Sequence, residues 1–173
     1  MTLILTSSEH MLLLGGEDKG TYLGANFLFN LASQNFESRK ILPEPRVDFG
    51  SIYSAGSVFV VGGWREYYVT RSDKYNIATD EWTNMPALND EREDVSLCIL
   101  EDRYLIAFGN VTTRGRRTKV PAKGAIDYNF ERMNLRAPDM SWQLITVKTT
   151  FNEPEKLPSM RHMGCFNHYT NRK

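Results

Sequence analysis

Short apolar runs alternate with turn-forming residues along most of the chain. The runs are rich in Val, Ile, Leu, Tyr and Phe, and polar or glycine-containing segments such as 54–56 and 101–102 separate them. Runs of this length and composition are typical of β-strands. No window shows a sustained 3.6-residue period, so we expect almost no helix. In the central part of the chain the pattern predicts strands at 50–53, 57–61, 71–76, 81–84, 96–100 and 104–108.

A longer period is superimposed on this pattern. The runs MLLLGG, VFVVGG and LIAFGN end at Gly16, Gly63 and Asn110, so both intervals are 47 residues (63 − 16 and 110 − 63). In each unit an aromatic or aliphatic residue then precedes a large aromatic residue by seven positions, and a proline-bearing stretch with an arginine follows. The pairs are Phe29 with Phe36, Tyr75 with Trp82 and Leu135 with Trp142, and the arginines are Arg46, Arg92 and Arg161. A fixed period of this length indicates a repeat architecture.

Four short strands per unit, with Gly-Gly, Tyr and Trp landmarks, resemble the kelch repeat of β-propellers. The middle unit has all of the landmarks, whereas the first unit has Phe36 at the Trp position and the third has Asn110 for the second glycine and Leu135 for Tyr. The resemblance implies an all-β fold of four-stranded antiparallel blades, with the Tyr and Trp side chains buried between neighbouring blades. The implied blades span 1–46, 47–92 and 93–161, and 162–173 is the first strand of a further blade.

Three blades do not close a propeller, for which four to eight blades are usual. The expected fold is therefore an incomplete or open propeller. An open arc exposes an apolar blade face at each end, and such faces drive association or aggregation. Two alternatives are open: the chain is a fragment of a longer propeller, or a partner or a second copy covers these faces. We favour the fragment, because no capping sequence with polar faces is evident at either end.

The composition is that of a soluble globular protein of 173 residues, with 41% hydrophobic and 24% charged residues. The 21 basic and 21 acidic residues balance, so no global field favours nucleic acid or an anionic membrane as a partner. The apolar N-terminal run is interrupted by Glu9 and His10 and does not reach the roughly 20 residues of a transmembrane helix. Cys98 and Cys165 form no disulfide framework, so we expect a reducing, cytoplasmic location.

The motifs that could carry catalysis or bind a cofactor are weak. Neither LGGEDKG nor VGGWREYY fits a phosphate-binding glycine motif, and no helix is expected to follow them. His162, Cys165 and His168 would alternate between the faces of a strand, with the two histidines about 20 Å apart, so we expect no metal there. We expect no catalytic residue, metal or cofactor. A propeller enzyme of the galactose oxidase or sialic acid epimerase type is the alternative that the resemblance leaves open.

The loops carry the remaining functional signal. In kelch propellers the loops between the second and third strands, and the segments that lead into the next blade, lie on one face that commonly binds partners. The segment WREYYV combines aromatic and arginine side chains, which are enriched at interface hot spots. Loop 111–124 has five basic residues and no acidic one, which suits an acidic or phosphorylated peptide. The alternatives are that Trp64 folds back onto its blade and that the basic loop is a solvated insertion.

We therefore expect a non-catalytic protein–protein interaction module, such as a substrate-recognition or cytoskeletal scaffold part, with a protein partner and possible self-association through its open blade faces. The expected partner-binding residues are Arg46, Trp64, Arg65, Tyr67, Tyr68, Arg92, Arg114, Arg116, Arg117 and Lys119.

Overall fold

The computed structural model describes residues 2–113, 116–117 and 125–150. Within these ranges the chain forms seventeen β-strands and no helix, as the apolar pattern predicts. The strands are β1 (Thr2–Leu5), β2 (His10–Leu14), β3 (Glu17–Asp18), β4 (Thr21–Tyr22), β5 (Asn26–Asn30), β6 (Asn35–Ser38), β7 (Gly50–Ser54), β8 (Ser57–Val61), β9 (Trp64–Arg65), β10 (Tyr67–Tyr68), β11 (Ser72–Asn76), β12 (Glu81–Met85), β13 (Arg92–Leu100), β14 (Tyr104–Thr113), β15 (Arg116–Arg117), β16 (Ala125–Asn134) and β17 (Trp142–Thr150).

Most of these strands form three antiparallel sheets that follow one another along the chain. The first sheet has the strand order β1-β2-β5-β6, the second β7-β8-β11-β12 and the third β13-β14-β16-β17. Each sheet is therefore a four-stranded meander, as the kelch resemblance implies. Two-stranded ribbons, β3-β4 and β9-β10, lie between the second and third strands of the first and second sheets, and β15 pairs with β14 at the same place in the third.

The strands predicted for the second sheet agree with the observed ones to within one residue at each end. In the third sheet, β13 and β14 are longer than predicted, because β13 begins at Arg92 and β14 continues to Thr113. A β-bulge between Glu93 and Ser96 allows β13 to continue past Asp94, whose φ is 49°. Because the residues at this bulge are polar, the apolar pattern does not predict the start of the strand. The predicted blade boundaries at 46, 92 and 161 stay predictions.

Two apolar clusters fill the spaces between neighbouring sheets. Successive residues of a strand point to opposite faces, so each sheet can give one set of side chains to each neighbour. In the second sheet, Tyr75 and Val58 face the first sheet, whereas Phe59 faces the third. The cluster between the first and second sheets consists of Ile4, Leu12, Leu14, Leu28, Leu42, Phe49, Val58, Val60 and Tyr75. The cluster between the second and third sheets consists of Ile52, Phe59, Val61, Met85, Leu88, Val95, Leu97, Leu105, Ala107, Met133 and Trp142.

In both the second and the third sheet, a tryptophan on the fourth strand binds the linker that precedes that sheet. Trp82 Nε1 donates a hydrogen bond to the Lys40 carbonyl oxygen at 2.8 Å, and Trp142 Nε1 donates to the Pro86 carbonyl oxygen at 2.9 Å. Phe36, at this position in the first sheet, has no side-chain N–H and is 61% exposed. The predicted burial of the Tyr and Trp side chains is confirmed for Tyr75 and Trp142, whereas Phe36 is exposed because no sheet among the described residues covers the outer side of the first sheet.

The predicted pairing of Leu135 with Trp142 is wrong. Met133 lies opposite Trp142 in the sheet register, as Tyr75 lies opposite Trp82. The two members of the pair are nine residues apart in the third sheet (142 − 133) and seven in the second (82 − 75), because the turn between the strands is two residues longer. Met133 is fully buried at the Tyr75 position, and Leu135 packs against the edge of the same cluster.

Gly63 follows the second strand of the second sheet in a space that excludes a side chain. Its φ is 110°, and a Cβ built there would lie 2.5 Å from the carbonyl oxygen of Val47. Gly56, in the tight turn between β7 and β8, has a φ of 78°, but a Cβ there would meet nothing within 4 Å. A side chain at Gly56 would therefore meet only the cost of a left-handed backbone, whereas one at Gly63 would also meet a steric clash.

We expect Gly56→Ala to lower the free energy of unfolding by about 1–2 kcal/mol, because alanine strains a left-handed backbone. Gly63→Ala should cost a further ~1–3 kcal/mol, since the linker backbone at Val47 must also move. Urea denaturation of the two variants measures the difference. Equal losses would show that the close approach of the linker does not constrain this position.

Candidate protein-interaction site at the loop edge

One edge of the three sheets carries the long connections. The strands of an antiparallel meander reverse direction at every turn. The linkers between sheets therefore lie at the same edge as the connections between second and third strands. The tight turns lie at the opposite edge. We call the first edge the loop edge, and its described connections are 15–25, 39–49, 62–71 and 86–91.

Trp64 anchors the β9-β10 hairpin, which turns at Glu66 with a φ of 50°. The backbone of Trp64 pairs with that of Val47 through two hydrogen bonds of 2.8 and 3.0 Å. Its Nε1 donates to Tyr22 Oη at 3.1 Å, and its ring packs edge-on against Tyr68 with the ring centres 4.7 Å apart. Trp64 is therefore half-buried, and its bond to Tyr22 joins this hairpin to the β3-β4 hairpin of the first sheet.

Glu44 orders the exposed side of the same hairpin. Its Oε1 accepts a hydrogen bond from Tyr67 Oη at 3.0 Å and lies 4.0 Å from Arg65 Nη1. The carboxylate accepts this hydrogen bond and so raises the pKa of Tyr67. Tyr67 is 54% exposed, and the Arg65 side chain is 42% exposed. A partner can therefore reach both of these residues.

Arg46 does not reach the surface, so the prediction that it contacts a partner is wrong. Its side chain is fully buried, with Nε donating to the Gly62 carbonyl oxygen at 3.0 Å and Nη2 to Asp73 Oδ2 at 2.9 Å. Its Nη1 donates to the backbone oxygen of Glu44 at 2.9 Å. Burial lowers the pKa of Arg46, and the Asp73 carboxylate opposes this shift. Arg46 fastens the linker between the first and second sheets to the second sheet.

Arg92 repeats this arrangement 46 residues later, and the prediction that it contacts a partner is wrong for the same reason. Arg92 is fully buried, and its Nε donates to Glu131 Oε1 at 3.0 Å. Glu131 lies opposite Ala107 in the sheet register, as Asp73 lies opposite Val60, and these two partners are one 47-residue period apart (107 − 60). The two carboxylates therefore occupy equivalent positions on the third strands of their sheets.

The sequence does not single out Asp73, Glu131 or Glu44. Asp73 stands in SDKYN and Glu131 in NFERMN, where the neighbouring polar residues indicate solvent exposure. The one signal for the first two is that an arginine-bearing linker is followed by an acidic residue on the third strand of the next unit, and this combination occurs twice. No comparable signal marks Glu44.

The basic loop lies largely outside the described residues, which include neither Arg114 nor Lys119. Arg116 and Arg117 form β15, which pairs with the end of β14. Because β14 and β16 are the second and third strands of their sheet, their connection belongs to the same edge as the β9-β10 hairpin. Contact between these basic residues and a partner stays a prediction.

Carboxylates gather at the loop edge beside the buried arginines. Asp48 and Asp94 each follow such an arginine by two positions, and their φ angles of 53° and 49° are left-handed. Burial raises the pKa of Asp48, and the negative charges of Asp94 and Glu17 raise it further. This part of the loop edge is therefore acidic.

Among the described residues, no group of three or more His, Cys, Asp or Glu side chains is placed to hold a metal ion. No helix in the described part of the chain is long and apolar enough to cross a membrane. The run from His162 to His168 lies outside the described residues.

The sheets and their connections define a class of protein. Consecutive four-stranded antiparallel sheets, packed face to face with their long connections at one edge, are consistent with an open, incomplete propeller. Residues 45–89, which contain the second sheet, match the family model of the Kelch motif. This match supports the kelch-repeat family for the chain, as its Gly-Gly, Tyr and Trp landmarks predict. No curated protein matched the chain.

We expect Arg92→Met to lower the free energy of unfolding by about 3–5 kcal/mol, because it leaves the Glu131 carboxylate buried without its countercharge. Arg71→Met is the matched control. Arg71 pairs with Asp73 at 2.8 Å, but its side chain is 33% exposed, and Asp73 keeps Arg46 as a partner. The control should cost about 1 kcal/mol or less. Urea titration measures both values, and equal losses would contradict the structural role assigned to Arg92.

Asp80 and Asp48 both have a left-handed backbone, and their contributions to the stability of the fold should change with pH in opposite directions. The hydrogen bond from Tyr75 Oη, and that from the Lys40 N–H, lower the pKa of Asp80. Its carboxylate therefore stabilises the fold above the ordinary Asp pKa of about 3.9, and this contribution is lost as pH falls through the lowered value. The raised pKa of Asp48 has the reverse effect, since its carboxylate becomes a cost as pH rises above about 3.9.

We therefore expect Asp80→Asn to lower the thermal midpoint at pH 7 and Asp48→Asn to raise it. Asparagine tolerates a left-handed backbone, so neither change adds strain. Both differences from wild type should shrink toward pH 3. Thermal unfolding followed by circular dichroism between pH 3 and pH 7 measures them. Midpoint shifts of the same sign at pH 7 would contradict the opposite effects inferred for the two carboxylates.

Proposed function

We propose that the chain is a non-catalytic protein-interaction module whose partner contacts the loop edge at the β9-β10 hairpin. The observation that carries the proposal is the exposure of Tyr67 and Arg65 on a hairpin whose other side chains hold it in place. Tyr and Arg are among the residue types that contribute most to protein interfaces.

Pre-organisation of the hairpin favours binding. Trp64 is bonded to Tyr22 and packed on Tyr68, and Glu44 holds the Tyr67 hydroxyl. A partner that contacts this surface therefore has little backbone or side-chain motion to suppress, and the entropic cost of association is smaller. The aromatic ring of Tyr67 offers apolar area, and Arg65 offers hydrogen-bond donors beside it.

The partner that we propose carries an acidic or phosphorylated segment that reaches from the hairpin to the basic loop of the third sheet. The support is the topology, since β9-β10 and the β14–β16 connection are equivalent elements of neighbouring sheets. Arg114, Arg116, Arg117 and Lys119 of that connection, together with Arg65, would receive the negative charges. The carboxylates of Glu17, Asp48 and Asp94 disfavour an acidic ligand in their part of the loop edge, so we assign the acidic segment to Arg65 and the basic loop.

Proteins of the kelch-repeat family are mostly non-enzymatic, which supports a binding role over the propeller-enzyme alternative. A cytoplasmic location is part of the proposal and rests on the low cysteine content. Roles in substrate recognition or in a cytoskeletal scaffold are compatible with this surface, and the partner would decide between them.

Affinity capture with the full chain, followed by mass spectrometry, tests the proposal. We expect the double variant Arg65→Glu/Tyr67→Ala to lose at least nine-tenths of the captured partner while its thermal midpoint changes little, because both side chains are exposed. Arg136→Glu is the matched control, since Arg136 is an exposed arginine in the turn between β16 and β17, at the opposite edge. It should capture the partner as wild type does.

A third variant, with Arg114, Arg116 and Arg117 all replaced by Glu, tests the charge of the partner. Loss of capture in this variant, and weaker capture by wild type at high salt, would support an acidic segment. Capture that survives the double variant would contradict the proposed surface, whereas capture lost in the double variant but not in the triple variant would contradict only the acidic partner.

A further inference from the structure

The face of the first sheet that points away from the second sheet is apolar and uncovered by any other described part of the chain. We call it the outer face. Leu3 and Leu5 of β1 are 60% and 63% exposed, and Phe27 and Phe36 are also exposed. The register places these residues in two cross-strand rows, Leu5–Met11–Phe29–Phe36 and Leu3–Leu13–Phe27–Ser38. Neither row contains a charged residue.

The outer face is equivalent to faces that are covered in the other two sheets. Met11 and Phe29 occupy the positions of Val58 and Tyr75, which pack against the first sheet. In the third sheet, the same positions pack against the second sheet. The corresponding rows are Tyr53–Val58–Tyr75–Trp82 and Ser51–Val60–Asp73–Asn84 in the second sheet, and Ile99–Leu105–Met133–Trp142 and Leu97–Ala107–Glu131–Leu144 in the third.

Two positions of the outer face differ from their counterparts in one respect. Asp73 and Glu131 each bind the arginine of a preceding linker, and the first sheet has Phe27 at this position. Trp82 and Trp142 each donate to a carbonyl oxygen of a preceding linker, and the first sheet has Phe36 there. The carboxylate and the indole N–H, which each bind a linker in the other two sheets, are thus replaced by phenyl rings in the first sheet. The outer face is therefore suited to a covering surface that brings neither an arginine nor a linker carbonyl.

We propose that the outer face is a self-association surface, on which the same face of a second copy packs around a twofold axis. The face is self-complementary, because two uncharged rows that are apolar except at Ser38 meet two others, and no buried charge or indole N–H is left without a partner. Two antiparallel sheets pack well face to face at a spacing of about 10 Å. This surface is separate from the loop edge, so the inference does not rest on the proposed function.

The area of the outer face determines how strong the self-association should be. Four strands spaced about 4.8 Å apart, with about 3.3 Å per residue, give a face of roughly 300 Å² in plan. A standard stable interface buries roughly 800 Å² per partner. We therefore expect a weak dimer that is populated at concentrations of about 10–100 μM and dissociates on dilution.

Sedimentation velocity of the full chain from about 2 to 200 μM tests this inference. We expect the weight-average mass of wild type to rise from the monomer value toward twice that value, and Leu5→Glu to stay monomeric at every concentration. Leu5 is exposed, so the variant should keep the wild-type circular dichroism spectrum. Phe27→Asp, which installs the residue of the second sheet, should also abolish association, because the carboxylate would be buried without an arginine.

Leu100→Glu is the matched control. Leu100 is 51% exposed and stands on the third sheet, on the side that faces away from the second, because its strand neighbour Ile99 packs toward the second sheet. This variant should associate as wild type does. Loss of association in Leu100→Glu would overturn the twofold contact in favour of a head-to-tail one. A wild-type monomer over the whole range, or association that Leu5→Glu leaves unchanged, would overturn the inference altogether.

Discussion

The arginine that each linker buries in the following sheet is the contact on which the rest of the structure depends. Arg46 and Arg92 carry a positive charge into a space without solvent, which is costly unless the N–H groups find acceptors. The acceptors are a carboxylate on the third strand and backbone carbonyl oxygens, including that of Gly62 after the second strand. One guanidinium can reach both only if these strands keep a single register. The ion pair therefore fixes the strand register and the path of the linker together.

The linker that Arg46 fixes also shapes the exposed surface. Arg46 Nη1 holds the backbone of Glu44, and the side chain of Glu44 then lies beside Tyr67 and Arg65. Three residues further along the linker, Val47 pairs with the backbone of Trp64 and sets the start of the hairpin. The same linker therefore contributes to both the buried ion pair and the candidate interface. A change that loosens the first would also disorder the second.

The fold could be predicted from the sequence because its signals are local. The apolar runs of the second sheet are short and are divided by turn residues, and the Gly-Gly pair recurs at a fixed interval, so strands and repeats followed directly. The partners of Arg46 and Arg92 could not be predicted, since Asp73 and Glu131 lie 27 and 39 residues away (73 − 46 and 131 − 92) in polar segments that resemble solvated strands. The kelch resemblance places the linkers on the face that commonly binds partners, and this led to the wrong assignment of Arg46 and Arg92, whose side chains are buried in the following sheet. The position of Met133 was missed for a related reason, because a turn two residues longer shifts the register without changing the apolar pattern.

The divergence of the first repeat follows from which neighbour each position contacts. Its glycines are kept, and a Cβ at Gly15 would lie 2.7 Å from the ring of Phe49, at the end of the linker to the second sheet. Phe27 and Phe36 stand at the positions where Asp73 and Trp82 bind a linker in the second sheet. A carboxylate or an indole N–H at these positions would carry a desolvation cost with no compensating bond whenever an apolar surface covered them. A phenyl ring carries no such cost and adds apolar area. The two positions that bind a linker in the second and third sheets are therefore apolar in the first sheet.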